Sequence, residues 1–83
     1  MSRHEKTLKA IYATPTSANI RWADIESLFR SRNAKISQRA GSRVAVNLNG
    51  IARVFHRPHP QPEAKKATVE SVREFLRQAG VKP

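Results

Sequence analysis

The dipeptide Asn49-Gly50 constrains the fold of this 83-residue chain more than any other feature. Asn-Gly is typical of the tight type I′ hairpin turn, because both central residues of that turn need a positive φ angle. Hydrophobicity alternates from Arg43 to Leu48 before the turn, and Ile51 to Arg57 returns as a partner strand. Pro58 and Pro60 end this second strand, since proline has no amide hydrogen to donate to a sheet. The chain is therefore predicted to fold around a β-hairpin.

Three helices are predicted from apolar residues that recur every three or four positions. They run from Glu5 to Ala13, from Trp22 to Arg32, and from Lys65 or Lys66 to Ala79. Gly80 is placed as the C-cap of the third helix. In the second helix, Trp22, Ile25, Leu28 and Phe29 are predicted to line one side, and the other side is predicted to carry Arg21, Glu26, Arg30 and Arg32.

A weakly alternating segment from Ala34 to Arg39 is predicted to be the first strand. The order is then helix, helix, three strands, helix. This order predicts an α+β fold, in which helices cover one face of a three-stranded antiparallel sheet.

The turn length decides which hairpin residues face each other. A two-residue turn pairs Val44 with Phe55 and sets Arg43 opposite His56 on the less apolar face. A three-residue loop would shift the register by one and place Arg43 beside Phe55. The Asn-Gly signal favours the first register.

The net charge is +10, from 16 Lys and Arg against 6 Asp and Glu. Such an imbalance favours a polyanionic partner, and nucleic acid is the first to consider. An acidic partner protein would also satisfy the charge. An anionic membrane fits less well, because the basic residues are spread over helices and strands.

The absence of cysteine excludes disulfides and Cys-based zinc sites. Without a signal-peptide run or a membrane-spanning stretch, the expected location is the cytoplasm.

Basic residues crowd the predicted sheet and the start of the third helix, and guanidinium groups suit phosphate oxygens. Together with the net charge, this crowding favours contact with nucleic acid over a merely solvated charge run. The basic residues predicted to contact RNA are Arg39, Arg43, Arg53, Arg57, Lys65 and Lys66.

Two histidines, His56 and His59, lie at the end of the second hairpin strand. They can supply a general base and a general acid for attack of a ribose 2′-hydroxyl on its own phosphodiester, since imidazole exchanges protons near neutral pH. The spacing alone is unspecific and favours the alternative, a pair of solvent-exposed strand-end histidines such as any basic protein can carry. A metal site is not expected, because Glu63 is the only acidic residue nearby and His4 is far away in sequence.

The chain also resembles a known family at three places: Gly41-Ser42 before the hairpin, His59-Pro60 after it, and Leu76-Arg77-Gln78-Ala79-Gly80-Val81 at the end of the last helix. The family is that of the HicA toxins from bacterial toxin–antitoxin pairs. The resemblance covers Ile20 to Val81. It implies an extra N-terminal helix and loop at residues 1–19 and a HicA-like domain at residues 20–83.

The resemblance implies a fold like that of double-stranded-RNA-binding domains and an activity as an mRNA interferase. Such an enzyme is an endoribonuclease that cleaves mRNA without a metal or another cofactor and so blocks translation. A HicB-like antitoxin, expected to be acidic, neutralises it and can form a hetero-oligomer with it.

The family pattern places a catalytic histidine directly after Gly41-Ser42, where this chain has Arg43. A guanidinium stays protonated and cannot act as a base, but it can bind the scissile phosphate and stabilise the charge that develops there. Proton transfer would then fall to His56, which faces Arg43 in the favoured register, or to His59, which holds the matching His-Pro position. By the same resemblance, Gly41 and Ser42 join the predicted RNA-binding residues.

Two further functions remain open from the sequence. The protein can be a non-catalytic module that reads the A-form shape of double-stranded RNA. It can also be a basic protein whose main partner is the antitoxin.

Overall fold

The computed structural model describes residues 2–83. Within this range the helices are α1 (Arg3–Tyr12), α2 (Trp22–Ser31) and α3 (Lys66–Gln78), and the strands are β1 (Lys35–Gln38), β2 (Arg43–Leu48) and β3 (Ile51–His56). The strands form one antiparallel sheet in the order β1-β2-β3. The predicted α+β architecture is confirmed. No helix in this range is long and apolar enough to cross a membrane.

The hairpin turn has the predicted geometry. Asn49 and Gly50 have φ angles of 53° and 81°, as a type I′ turn requires. The two-residue loop sets Arg43 opposite His56, so the favoured register is confirmed. The side-chain amide of Asn49 (Nδ2) also donates a hydrogen bond of 2.8 Å to the carbonyl oxygen of Ala79, which ties the turn to the end of α3.

One face of the sheet and the apolar sides of the helices enclose a single hydrophobic core. The sheet contributes the buried side chains of Val44, Val46, Leu48 and Phe55. The helices contribute, among others, Leu8, Ile11, Trp22, Ile25, Leu28, Phe29, Val69, Val72, Phe75 and Leu76. The opposite face of the sheet carries exposed residues such as Asn47, Val54 and His56. The hairpin therefore has one buried face and one open face.

The extra helix α1 is part of this core. Leu8 and Ile11 are buried, and Arg73 of α3 reaches the end of α1. Its Nε donates to the carbonyl of Ile11 at 2.8 Å, and its Nη2 donates to the carbonyl of Ala13 at 3.2 Å. These bonds satisfy carbonyl groups that a helix end leaves without internal partners. The division into residues 1–19 and 20–83 stays a prediction, and the core is continuous across it.

The placement of Glu26 on the side of α2 opposite the apolar residues is wrong. Its residue is only 6% exposed, whereas Arg21, Arg30 and Arg32 lie at the surface as predicted. Position 26 comes four residues after Trp22 and three before Phe29, so helical geometry places it beside the apolar stripe.

Candidate active site

A cavity of about 270 Å³ opens where β3 ends and α3 begins. Its walls are formed by Ser42, His56, Arg57, Pro58, His59, Lys65 and Thr68. The backbone amide of Arg57 donates to the carbonyl of Ser42 at 2.8 Å, so the pairing of the hairpin continues one residue beyond His56. This bond brings the Gly-Ser motif next to the segment that carries both histidines. Both predicted proton-transfer residues thus lie in one cavity.

The N-terminus of α3 gives the same cavity a positive potential. The N-cap residue Lys65 makes no side-chain capping bond, and the first turn of α3 has no acidic residue. The first amide groups of a helix lack internal partners and carry the positive end of its dipole, which makes helix N-termini binding sites for phosphate. Lys65 and Thr68 line the cavity at this point, and the ammonium of Lys65 adds a full charge. The cavity is therefore suited to an anion such as a phosphate group.

Arg43 lies at the edge of this site, on the open face of the sheet. It pairs with His56 across the hairpin but does not line the cavity. Its Nε donates to the carbonyl of Ala40 at 3.2 Å, and its own carbonyl accepts from the amide of Arg39 at 2.9 Å. Both arginines are exposed. Gly41 has a φ of 70°, in the left-handed region that favours glycine, and so allows the chain to turn between them.

The other predicted RNA-binding residues are spread over different parts of the surface. Ser42, Arg57 and Lys65 line the cavity, and Lys66 is exposed at the start of α3. Arg53 points towards α3, where its guanidinium donates to the carbonyl of Ser71 at 3.2 Å and to Oε1 of Gln78 at 3.1 Å. The predicted set is thus divided between the cavity wall, the exposed residues near it and the contact of Arg53 with α3, and its contacts with RNA stay a prediction.

The guanidinium of Arg57 is bound to the buried carboxylate of Glu26. Its Nε donates to Oε2 at 2.7 Å and its Nη2 to Oε1 at 3.1 Å, while Nη1 donates to Oε1 of Gln38 at 2.5 Å. The carboxylate also accepts bonds from the indole of Trp22 and, at 3.3 Å, from Arg30. Glu26 therefore has a full set of donors.

These contacts decide the ionisation of Glu26. Burial alone would raise the pKa of its carboxyl group. Hydrogen bonds from Arg57 and Trp22, together with the positive charges of Arg57 and Arg30, outweigh the burial, and the pKa lies below its ordinary value. The bond to Glu26 in turn raises the pKa of Arg57. The pair is thus held in its charged form.

Sequence reasoning missed two residues of this region. Glu26 could have been found from its spacing to Trp22 and Phe29. Thr68, which lines the cavity from the first turn of α3, carries no sequence signal that would single it out. Within residues 2–83, no three side chains of the types that usually bind metals (His, Cys, Asp and Glu) come together.

The fold and the site define a small basic α+β domain with a cavity suited to phosphate and lined by two histidines. A family model described as the HicA toxin of bacterial toxin-antitoxin matches residues 22–81. The chain belongs to the HicA toxin family, which confirms the resemblance seen in its motifs. It is the toxin of a toxin–antitoxin pair, and its partner in that pair is an antitoxin. The matched residues begin at α2, so α1 precedes them.

No curated protein and no solved structure matches the chain significantly. The likeness to double-stranded-RNA-binding domains therefore stays a prediction.

Proposed function

We propose that this toxin is a metal-independent endoribonuclease that cleaves mRNA in the bacterial cytoplasm and so blocks translation. The observation that carries the proposal is that His56 and His59 line one cavity together with Ser42 and Lys65. A nuclease of this kind needs two proton-transfer groups and a site for the scissile phosphate. The cavity supplies two imidazoles for proton transfer and a positively charged place for the phosphate.

The proposed reaction is an internal transesterification. One imidazole removes the proton of the ribose 2′-hydroxyl, and the 2′-oxygen forms a bond to the adjacent phosphorus. The bond from phosphorus to the 5′-oxygen breaks, and the second imidazole donates a proton to that oxygen. The products are one strand ending in a 2′,3′-cyclic phosphate and one beginning with a 5′-hydroxyl.

The phosphate is held at the N-terminus of α3 by backbone amides and the ammonium of Lys65. Extra negative charge develops on the phosphate oxygens in the transition state. Arg43, which follows Gly41-Ser42 where the family has a histidine, stabilises this charge from the edge of the open face. His56 is the residue across from Arg43, and His59 holds the position that matches the family pattern.

The test measures RNA cleavage by the purified protein and by His56→Ala, His59→Ala and Arg43→Ala. Each histidine variant should cleave about 10²- to 10⁴-fold more slowly, which is the usual contribution of a general acid or base. His4→Ala is the matched control, because His4 lies on α1 and contacts Ser27. If both cavity histidines can be replaced without loss, they are not the proton-transfer groups. If the native protein retards RNA in a gel but leaves it intact, the protein is a non-catalytic RNA-binding module.

A modified substrate separates the two histidine roles. When the 5′-oxygen at the cleavage site is replaced by sulfur, the leaving thiolate needs no proton. The variant that lacks the general acid should cleave this substrate almost as fast as the native protein. The variant that lacks the general base should stay slow.

The antitoxin is proposed to be a HicB-like protein with an acidic surface that complements the net charge of +10. Induction of the toxin alone should arrest growth and deplete mRNA. Co-expression of the adjacent acidic reading frame should restore growth, and the two proteins should purify together. Failure of every neighbouring gene product to bind would contradict this identification of the partner.

A further inference from the structure

Glu26 is a buried charged group that the proposed reaction does not use. Burial of a carboxylate removes its hydration, and an ion pair in a protein interior is often no more stabilising than apolar side chains of similar volume. Glu26 nevertheless lies beside the apolar stripe of α2, with its side chain only 7% exposed. Stability alone therefore does not explain a carboxylate at this position, and the position of its partner points to another role.

That partner, Arg57, lies in the chain between the two cavity histidines. Two parallel hydrogen bonds from a planar guanidinium to a carboxylate fix orientation as well as distance. Arg57 makes this two-bond contact with Glu26 of α2 and a third side-chain bond with Gln38 of β1. Its backbone amide is bound to Ser42. Arg57, which directly follows His56, is thus held by Glu26, Gln38 and Ser42.

The chain beyond His59 is anchored to the start of the same helix. The amide of Trp22 donates to the carbonyl of Pro62 at 2.9 Å, and the amide of Ala64 donates to the carbonyl of Ile20 at 2.8 Å. The whole segment from Arg57 to Ala64 is therefore attached at both ends to α2 or to the residues just before it. The middle of this segment carries His59.

We infer that Glu26 is a positioning residue: it holds Arg57 and thereby fixes His56 and His59 relative to the N-terminus of α3. Glu26 is buried and does not line the cavity, so it acts through the residues bound to it, and of these Arg57 is the one that lines the cavity. This inference rests on the proposed function, because it assigns the histidines a task that requires their placement. It also gives Arg57 a role different from free contact with RNA, since its charge is already paired.

The test compares Glu26→Gln with Glu74→Gln. Glu74 is the matched control, because it forms an exposed ion pair of 2.8 Å with Arg77 and its replacement changes the net charge equally. In Glu26→Gln we expect kcat to fall on the order of 100-fold with KM nearly unchanged, since small misplacements of catalytic groups reduce rates by that order. Glu74→Gln should have native kcat and KM.

A second readout does not depend on RNA cleavage. The ring signals of His56 and His59 in ¹H–¹³C spectra should shift or broaden in Glu26→Gln and stay in place in Glu74→Gln. If the native protein does not cleave RNA, the proposed function fails, while the ring signals still decide whether Glu26 positions the histidines.

A double variant, Glu26→Leu with Arg57→Met, covers the case in which Glu26→Gln does not fold. Replacing both partners by apolar residues removes the charges without leaving one of them unpaired. The folded double variant should show the same loss of kcat and the same change in ring signals.

Three results would overturn the inference. Native kcat and native ring signals in either folded variant would show that Glu26 does not place the histidines. A rise in KM at native kcat would show that the pair acts through substrate binding. Unfolding of both variants would make the pair a structural element only.

Discussion

Replacement of Phe55 tests the hairpin register on which the site depends. Phe55 is 3% exposed, whereas its neighbour Val54 is 50% exposed. A shift of the register by one residue would exchange the two faces of the strand and move Arg43 away from His56. The losses in free energy of unfolding on replacing Phe55 and on replacing Val54 therefore show which of the two residues is buried in solution, and so which register the hairpin has.

The expected loss of stability on replacing Phe55 follows from the side chains around its ring. Its ring centroid lies 5.8 Å from that of Trp22, 5.9 Å from Phe29 and 5.5 Å from Phe75. Truncation of a buried phenylalanine to alanine costs about 3–5 kcal/mol, and loss of three aromatic pairs places Phe55 in the upper part of that range. A chain of 83 residues has a total free energy of unfolding of about 4–12 kcal/mol. Phe55→Ala therefore removes roughly a third or more of the free energy of unfolding, and it unfolds the protein if the total lies at the lower end of its range.

Phe55→Leu is the measurable form of the experiment. It keeps most of the volume and loses the ring pairs, so it should cost about 1–2 kcal/mol. Val54→Ala, on the exposed face of the same strand, should cost less than about 1 kcal/mol. Urea unfolding followed by circular dichroism gives both values. A larger cost for Val54→Ala than for Phe55→Leu would refute the register and, with it, the pairing of Arg43 with His56.

Three further predictions concern stability. The contacts of Glu26 hold its pKa in the folded protein below the ordinary value of 4.5. The ionised carboxylate therefore contributes its full stabilisation above pH 4.5, and this contribution is lost as the pH falls through the pKa of the folded protein. Urea midpoints in the acid range should therefore fall more steeply for the native protein than for Glu26→Gln, and equal slopes would contradict this. Gly50→Ala should lower the free energy of unfolding by only about 1–2 kcal/mol, the cost of placing alanine at a positive φ, because an added methyl group meets nothing within 4 Å. A much larger loss in urea unfolding would show that the methyl group does meet other atoms. Arg73→Ala leaves the carbonyls of Ile11 and Ala13 without this donor and should cost about 1–3 kcal/mol. Hydrogen exchange should then be faster in α1, and unchanged exchange there would show that Arg73 does not hold the helix.

Local sequence signals predicted much of this fold because they depend on neighbours in the chain. The apolar repeat identified the three helices, and Gly80 ends α3 with a φ of 79° as predicted. The turn at Asn49-Gly50 determined the pairing of β2 with β3, because its φ angles allow only a short loop. The pairing of Arg43 with His56 could therefore be predicted without any tertiary contact.

The candidate site was predicted less completely. The sequence pointed to His56, His59 and the basic residues near them, but not to the cavity in which the two histidines meet the start of α3. It also did not indicate that the guanidinium of Arg53, a predicted RNA-binding residue, would be bound to α3. These outcomes depend on how helices pack on the sheet.

The sequence by itself determined the order of the elements, the hairpin register and the membership in a toxin family, because each depends on residues that are close together in the chain. Only the tertiary structure decided the partner of Arg57. Glu26 lies 31 residues earlier in the chain, and a carboxylate on a helix can meet an arginine at a strand end only after both have packed on the same core. Side-chain partners over such separations are set by the packing of whole elements, which no local pattern specifies.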